Sequence, residues 1–236
     1  MYGFDNGINT SMEFNLRFLE PPEVERGKEK IEFKEIPGKE SSLTVHTGEY
    51  ENTIITNVMD FLLNPGELMT EKARKIRSWA NQSKYICYTG DDWFYKVKDV
   101  AIEDEKNTYD IIGNITIVFE CDPFMYLMSG ESFERYEAGT SELYNSYYKS
   151  WPVIHIPNYS YGDVITINGV DIVLYTDEDT SELYIDTERQ IAYDKDKNVK
   201  NTLIKCDHLD ECYLRTGKNQ IIHAMELYVQ PNWRCR

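Results

Sequence analysis

At 236 residues the chain can bury one large core or two ordinary ones. Its 41 acids against 25 bases leave a net charge of -16, spread through both halves, which excludes the clustered basic surface that a nucleic-acid backbone requires. A hydrophobic fraction of 41% with 18 Tyr, 9 Phe and 4 Trp excludes a disordered chain, and its β-branched and aromatic bias points to sheet.

In chain order, Met12, Phe14, Leu16 and Phe18 alternate with polar neighbours as far as Leu19, predicting a strand that Pro21-Pro22 stops. Ile31 to Ile36 predicts a second strand, ended by the turn pair Pro37-Gly38. Leu43 to Val45 is a short third, and Thr47-Gly48 turns the chain again. Tyr50 to Leu63 is strand-like and apolar enough to be buried, closing at Asn64-Pro65-Gly66. The period then changes: Leu68, Ala73, Ile76, Trp79 and Ala80 share a helical face, and Asn81 can end that helix. Tyr85 to Tyr88 and Trp93 to Ile102 flank Gly90-Asp91-Asp92 as a hairpin.

Asn114 to Phe124 is the pivotal stretch. Ile115, Ile117 and Phe119 alternate with Thr116, Val118 and Glu120, and Asp122-Pro123 then cuts the strand, because proline fixes its own φ and offers no N–H. A domain end is expected here: residues 1–128 as an α+β first domain of about seven strands and a single helix, residues 129–150 as a linker or extended excursion, and residues 151–236 as a second domain. In that second domain, short strands are expected at Val153 to Ile156, Val164 to Ile167, Asp171 to Tyr175, Leu183 to Asp186, Ile191 to Tyr193 and Ile221 to Val229. Asn168-Gly169 is a strong hairpin signal, and the brisk spacing predicts an all-β antiparallel sandwich.

No constellation assembles into an active site. Asp194-Lys195-Asp196-Lys197-Asn198 starts like a calcium loop, but Val199 stands where the turn needs Gly and Lys205 where a bidentate Glu should close it, so it reads as a polar turn. Cys206, Asp207, His208 and Cys212 lack the paired spacing of a zinc site and read as ordinary buried thiols. His46, His155, His208 and His223 accompany no nucleophile elbow, no His-Glu-x-x-His and no cysteine-centred signature, and there is no Walker loop. No catalytic, cofactor-binding or metal-binding residue is therefore assigned. The five cysteines, Cys87, Cys121, Cys206, Cys212 and Cys235, suggest no disulfide framework and fit a reducing compartment at synthesis. Neither a signal peptide nor a membrane span is expected.

The order of these weak motifs is more specific than any one of them. Phe4-Asp5-Asn6-Gly7, Ile36-Pro37-Gly38-Lys39-Glu40-Ser41-Ser42-Leu43 with Gly48-Glu49-Tyr50-Glu51, the helix with Trp79, Trp93-Phe94-Tyr95-Lys96-Val97 and Phe119-Glu120-Cys121-Asp122-Pro123-Phe124 come in sequence. They are followed by Ile165-Thr166-Ile167-Asn168-Gly169, Ile185-Asp186-Thr187-Glu188 with Ala192-Tyr193, and Pro231-Asn232-Trp233-Arg234. Together they resemble the distal tail protein (Dit) family of siphophages that infect Gram-positive bacteria. Lys39-Glu40-Ser41 stands where that family commonly has Arg-Asp-Gly, and the Cys206 to Cys212 region lies where the family varies widely.

The resemblance implies a mainly β protein: a β-sandwich ring domain with one helix, followed by a galectin-like, jelly-roll β-sandwich. It implies a structural, non-enzymatic role with no cofactor, in a homohexameric ring at the tail tip with the second domain outside it. The implied partners are the major tail protein of the tail tube and the tail-associated lysin or baseplate hub, with receptor-binding proteins or host polysaccharide as further ones. DNA passes through such a ring without specific binding, no membrane is involved, and the particle assembles in the host cytoplasm as part of the virion. The alternative class is a carbohydrate-binding module for host cell-wall sugars, which would show exposed Trp or Tyr beside an amide or acid.

Overall fold

The computed structural model describes residues 3–109, 111–177 and 180–236. It divides into two compact units, Met1–Met125 and Tyr126–Arg236. The fold is mainly β, with a single α-helix among the described residues.

The first unit contains β1 (Phe4–Asp5), β2 (Leu16–Phe18), β3 (Glu23–Glu25), β4 (Glu29–Lys34), β5 (Leu43–Tyr50), β6 (Thr53–Leu62), α1 (Met69–Ala80), β7 (Tyr85–Tyr88), β8 (Trp93–Tyr109) and β9 (Ile112–Leu127). The main sheet runs β1-β7-β8-β9-β6-β2, with β3 on the same edge of β6 as its own short ladder. The β6–β9 ladder runs from Thr53 opposite Cys121 to Leu62 opposite Ile112. Its alternation sends Ile55, Met59 and Phe61 from one strand, and Ile115, Ile117 and Phe119 from the other, into a core where all are at most 1% exposed. Helix α1 buries Ala73, Ile76, Trp79 and Ala80 in the same core. Trp79 stacks near Phe4 and Phe14, at 5.3 and 5.0 Å between ring centroids, and donates its indole N–H to the Asn9 carbonyl. Gly113 is required where the layers approach: a Cβ there would come within 2.3 Å of the Phe61 ring and 2.7 Å of the Met69 sulfur.

Three local expectations change. The stretch from Met12 to Leu19 is not one strand; Ser11–Phe14 form a 3-10 turn that pairs the Ser11 hydroxyl with the Phe4 N–H, and Asn15 at φ 55° redirects the chain into β2. Strand β5 continues through Gly48 to Tyr50 instead of turning at Thr47-Gly48. Strand β9 does not leave at Asp122-Pro123 but runs on to Leu127. The β6 ladder has already ended at Cys121, so on that side proline's missing N–H leaves no partner unsatisfied.

The second unit contains β10 (Glu134–Tyr136), β11 (Gly139–Asn145), β12 (Val153–Ile156), β13 (Val164–Ile167), β14 (Val170–Leu174), β15 (Leu183–Asp186), β16 (Ile191–Tyr193), β17 (Ile204–Lys205), β18 (Gly217–His223), β19 (Leu227–Gln230) and β20 (Arg234–Cys235). Two five-stranded antiparallel sheets, β10-β19-β12-β15-β16 and β11-β18-β13-β14-β17, face each other as a sandwich. Ile154, Ile156, Leu183, Ile185 and Val229 from one meet Ile165, Ile167, Ile172, Leu174 and Ile221 from the other, each fully buried. The Asn168-Gly169 turn has φ of 51° and 92°, as a two-residue hairpin with both central residues left-handed requires.

The segment 129–150, expected as a linker or excursion, supplies β10 and β11, one to each sheet. Its Leu143 is in the core, and the buried Asn145 amide donates to the carbonyls of Tyr148 and Leu214. The single strand expected over Ile221 to Val229 is two strands in different sheets, the corner being held by a 2.7 Å contact between His223 Nδ1 and the Met225 carbonyl.

Candidate functional site

Two surfaces stand out, one in each unit. In the first, among the described residues, β4 and β5 pair only with each other, forming a ribbon separate from the main sheet. Ile31 opposes His46 and Phe33 opposes Thr44 on one face, while Glu32 opposes Val45 and Lys34 opposes Leu43 on the other. Phe33 is 68% exposed and Leu43 51%, and Ile31 is exposed as well. The ribbon's polar contacts, the Lys30 ion pair with Glu49 at 3.1 Å and the His46 Nδ1 contact with Glu29 at 3.3 Å, are near the surface and hold it weakly. Its tip, residues 35–42, encloses an open depression of about 640 Å³. The root is tightly made: the Glu51 N–H donates to the Lys28 carbonyl, and a Cβ on Gly27 would lie 1.8 Å from the Glu51 carbonyl oxygen. A lone two-stranded ribbon is marginal in water, and this one exposes apolar side chains on both of its faces.

In the second unit, the outer face of the sheet β10-β19-β12-β15-β16 carries one residue per strand in direct register: Arg135, Tyr228, His155, Tyr184 and Tyr193. The period-two pleat puts them on one side while Ile154, Ile185 and Val229 fill the core on the other. His155 and Tyr184 stack at 4.2 Å and 6°, and Tyr184 and Tyr193 at 5.3 Å and 2°. Phe133, 41% exposed, stands nearly perpendicular to the His155 and Tyr184 rings at 6.0 and 6.3 Å. The Lys197 ammonium caps the end of the row, 4.2 Å from the Tyr193 centroid.

Two carboxylates accompany the rings. Glu182 Oε2 lies 2.8 Å from His155 Nε2 and accepts from the Tyr184 hydroxyl at 3.5 Å. Glu226 accepts from the Tyr228 hydroxyl at 2.9 Å and from the Arg135 guanidinium at 2.6 Å. Arg135, then Tyr228, holds the Glu226 carboxyl below its ordinary range, and Glu226 in turn raises the Tyr228 phenol. Burial first, and Glu182 second, raises the Tyr184 phenol.

The motifs weighed from the sequence are scattered. Asp194 accepts from the Asp196 and Asn198 N–H groups and from the Asn198 amide, a closed polar turn in which Asn198 lowers the Asp194 carboxyl. Cys212 is buried in the sandwich core with Cys206 beside it, and burial pushes its thiol up. Cys121 is buried in the first unit and raised to about 12 by the same cause. His223 contacts Ser141 Oγ at 3.1 Å, and His46 lies on the arm. Among the described residues no group of three or more His, Cys, Asp or Glu side chains converges to hold a metal, and no helix is long and apolar enough to cross a membrane. Sequence reasoning placed His155 in a strand but missed its row. The pairing of β12 with both β15 and β19 brings together residues 29 and 73 positions away, which no local pattern announces.

The architecture defines a class: this is the fold of a phage distal tail protein, as the order of the sequence motifs implied. Among the solved structures it matches is that of the SPP1 Dit (gp 19.1) protein, described as a paradigm of hub adsorption apparatus in Gram-positive infecting phages. The match has a TM-score of 0.61 at 9% sequence identity and covers 97% of this chain and 98% of that one, so the likeness lies in the fold. No protein-family model matches the chain, and no curated protein matches it in sequence.

Proposed function

We propose that this protein is a structural component of a phage tail tip. In this reading six copies close into a ring at the end of the tail tube, built by the first unit, while the second is carried as a galectin-like lobe. The ring joins the major tail protein to a baseplate hub or tail-associated lysin and leaves a channel for DNA. The protein then belongs to the virion, assembled in the host cytoplasm, and performs no catalysis.

The observation that carries this reading is the fold match to SPP1 Dit over 97% of the chain. The arm supports it physically. A ribbon with exposed Phe33, Ile31 and Leu43 is suited to lie on a neighbouring copy, and such a head-to-tail contact closes into a ring when its rotation fits. The net charge of -16 suits a conduit that DNA must traverse without sticking.

Native mass measurement and negative-stain imaging over a concentration series test it. The expected result is a six-fold ring with an open centre, made of six copies of the 27.7 kDa chain. A monomer at every concentration, still monomeric with the tail-tube protein and hub added, would overturn the reading.

A further inference from the structure

We propose that Cys206 and Cys212 are a latent disulfide, two thiols set side by side that close into a cross-link when the chain meets an oxidised small-molecule disulfide. This goes beyond the tail-tip reading and does not depend on it. Cys206 follows directly on β17, whose rungs to β14 are Lys205 opposite Val173 and Ile204 opposite Leu174. The chain then makes a 3-10 turn at Leu209–Glu211, closed by the Glu211 N–H on the His208 carbonyl and the Cys212 N–H on the Leu209 carbonyl. Leu209 is buried and anchors that turn in the sandwich core. The turn returns Cys212 to Cys206: the Cys212 thiol, fully buried, is in side-chain hydrogen-bonding contact with the half-buried Cys206, which packs against the same core.

A cysteine that only fills volume needs no more than a small apolar niche. Two thiols in contact across a segment of six sequence steps are a different arrangement, because a bond between them would replace a contact the fold already makes. Closing the segment would also take conformational freedom from the unfolded chain and fix the end of β17, a strand of two residues.

Exposure assigns the order of events. Cys206 is the more accessible sulfur and meets the oxidant first. Its thiolate attacks one sulfur of the small disulfide, which releases one small thiol and leaves a mixed disulfide. The Cys212 thiolate then attacks the Cys206 sulfur and releases the second small thiol. The two protons and two electrons lost by the protein thiols thus reduce the small disulfide to two thiols. Burial, and after it Cys206, raises the Cys212 thiol, which makes the second step slow. Equilibrium is therefore the informative measurement.

The test equilibrates the full chain, folded and in urea, with glutathione buffers of graded ratio, traps free thiols with N-ethylmaleimide and digests with trypsin. Lys205 and Arg215 place both cysteines in one peptide, residues 206–215. Closure then reads as a peptide about 2 Da lighter that takes up no maleimide. The folded chain should hold the pair oxidised in buffers at least about tenfold more reducing than the unfolded chain does, and oxidation should raise the melting temperature, because a bond that favours the fold is favoured by it. Cys206→Ser should abolish both changes. If that variant perturbs the fold, the folded and unfolded titrations of the native chain carry the test alone. The proposal would be overturned by a pair no easier to oxidise folded than unfolded, or by a melting temperature that falls on closure. A mixed disulfide at Cys206 that never resolves, or cross-links to Cys87, Cys121 or Cys235 in place of Cys212, would overturn it equally. Ring and monomer give the same reading, so its failure would leave the tail-tip assignment untouched.

Discussion

The arm of the first unit and the aromatic row of the second both lie at the surface, the arm exposed and the row half-buried, and they rest on different foundations. The row's strands bury Ile154, Ile185 and Val229 on their other side, so its rings are held by a core whether or not anything binds. No described residue of the arm's two strands is buried, and Phe33 and Leu43 lie exposed on opposite faces of the ribbon. An exposed residue on a sheet seated over a core is held whatever else happens, whereas one on a ribbon without such seating has little within its own unit to hold it.

The comparison breaks most severely beneath the row. Ile154→Ala removes a fully buried side chain from the sandwich core and should cost about 4 kcal/mol, with the cavity it leaves as the cause. Chemical denaturation followed by tyrosine fluorescence would show it. If the loss were under about 1 kcal/mol, the row would not be seated as described.

Next in size is an ion pair that braces the first unit away from its arm. Lys72 is 3% exposed and sits on α1 with its ammonium 3.3 Å from Glu67. Burial acts to raise the Glu67 carboxyl, but the Asn64 N–H and the Lys72 and Lys75 ammonium groups outweigh it and hold the carboxyl below its ordinary value of 4.5. A carboxyl depressed on folding contributes stability that is fully present above its unfolded value and lost as pH falls through the folded one. Denaturation midpoints should therefore decline below about pH 4.5. Glu67→Gln should remove that component and cost about 3 kcal/mol at neutral pH, because it strands a buried ammonium. An unchanged midpoint at pH 7 would show that the ammonium finds water instead.

Much of the fold was legible because its signals are local. The helix face of Ala73, Ile76 and Trp79, the alternation of Ile115, Ile117 and Phe119, and the Asn168-Gly169 turn each needed only neighbouring residues to be read. What escaped was set by partners far along the chain. Asn15 takes a left-handed backbone inside an otherwise perfect strand pattern, and Pro123 is tolerated because the β6 ladder ends two residues earlier. The Tyr-rich stretch 129–150 shows no clear period, because β10 and β11 go to different sheets. The aromatic row is the extreme case, since its five members come from five strands that only the sheet order aligns.

A smaller effect should follow from trimming the row itself. Tyr184→Ala deletes stacking on both His155 and Tyr193 but leaves the core side of β15 intact, so a loss of about 1 kcal/mol is expected. A loss as large as that of Ile154→Ala would mean that the row is part of the core and not a face laid upon it.

The smallest effect on stability should come from the arm, and there it is most informative. Phe33 is 68% exposed, and its replacement by alanine removes little contact within the chain, so the denaturation midpoint of the monomer should move by less than about 0.5 kcal/mol. Amides of β4 and β5 should exchange with solvent far faster in the monomer than those of β12 and β15, which lie over a packed core. If a neighbouring copy covers the ribbon, assembly should slow that exchange, and Phe33→Ala should weaken assembly while leaving the monomer as stable as before. Were the variant to assemble normally, or were the arm's amides equally fast in ring and monomer, the ribbon would not be the clasp, and ring closure would have to be sought on the main sheet.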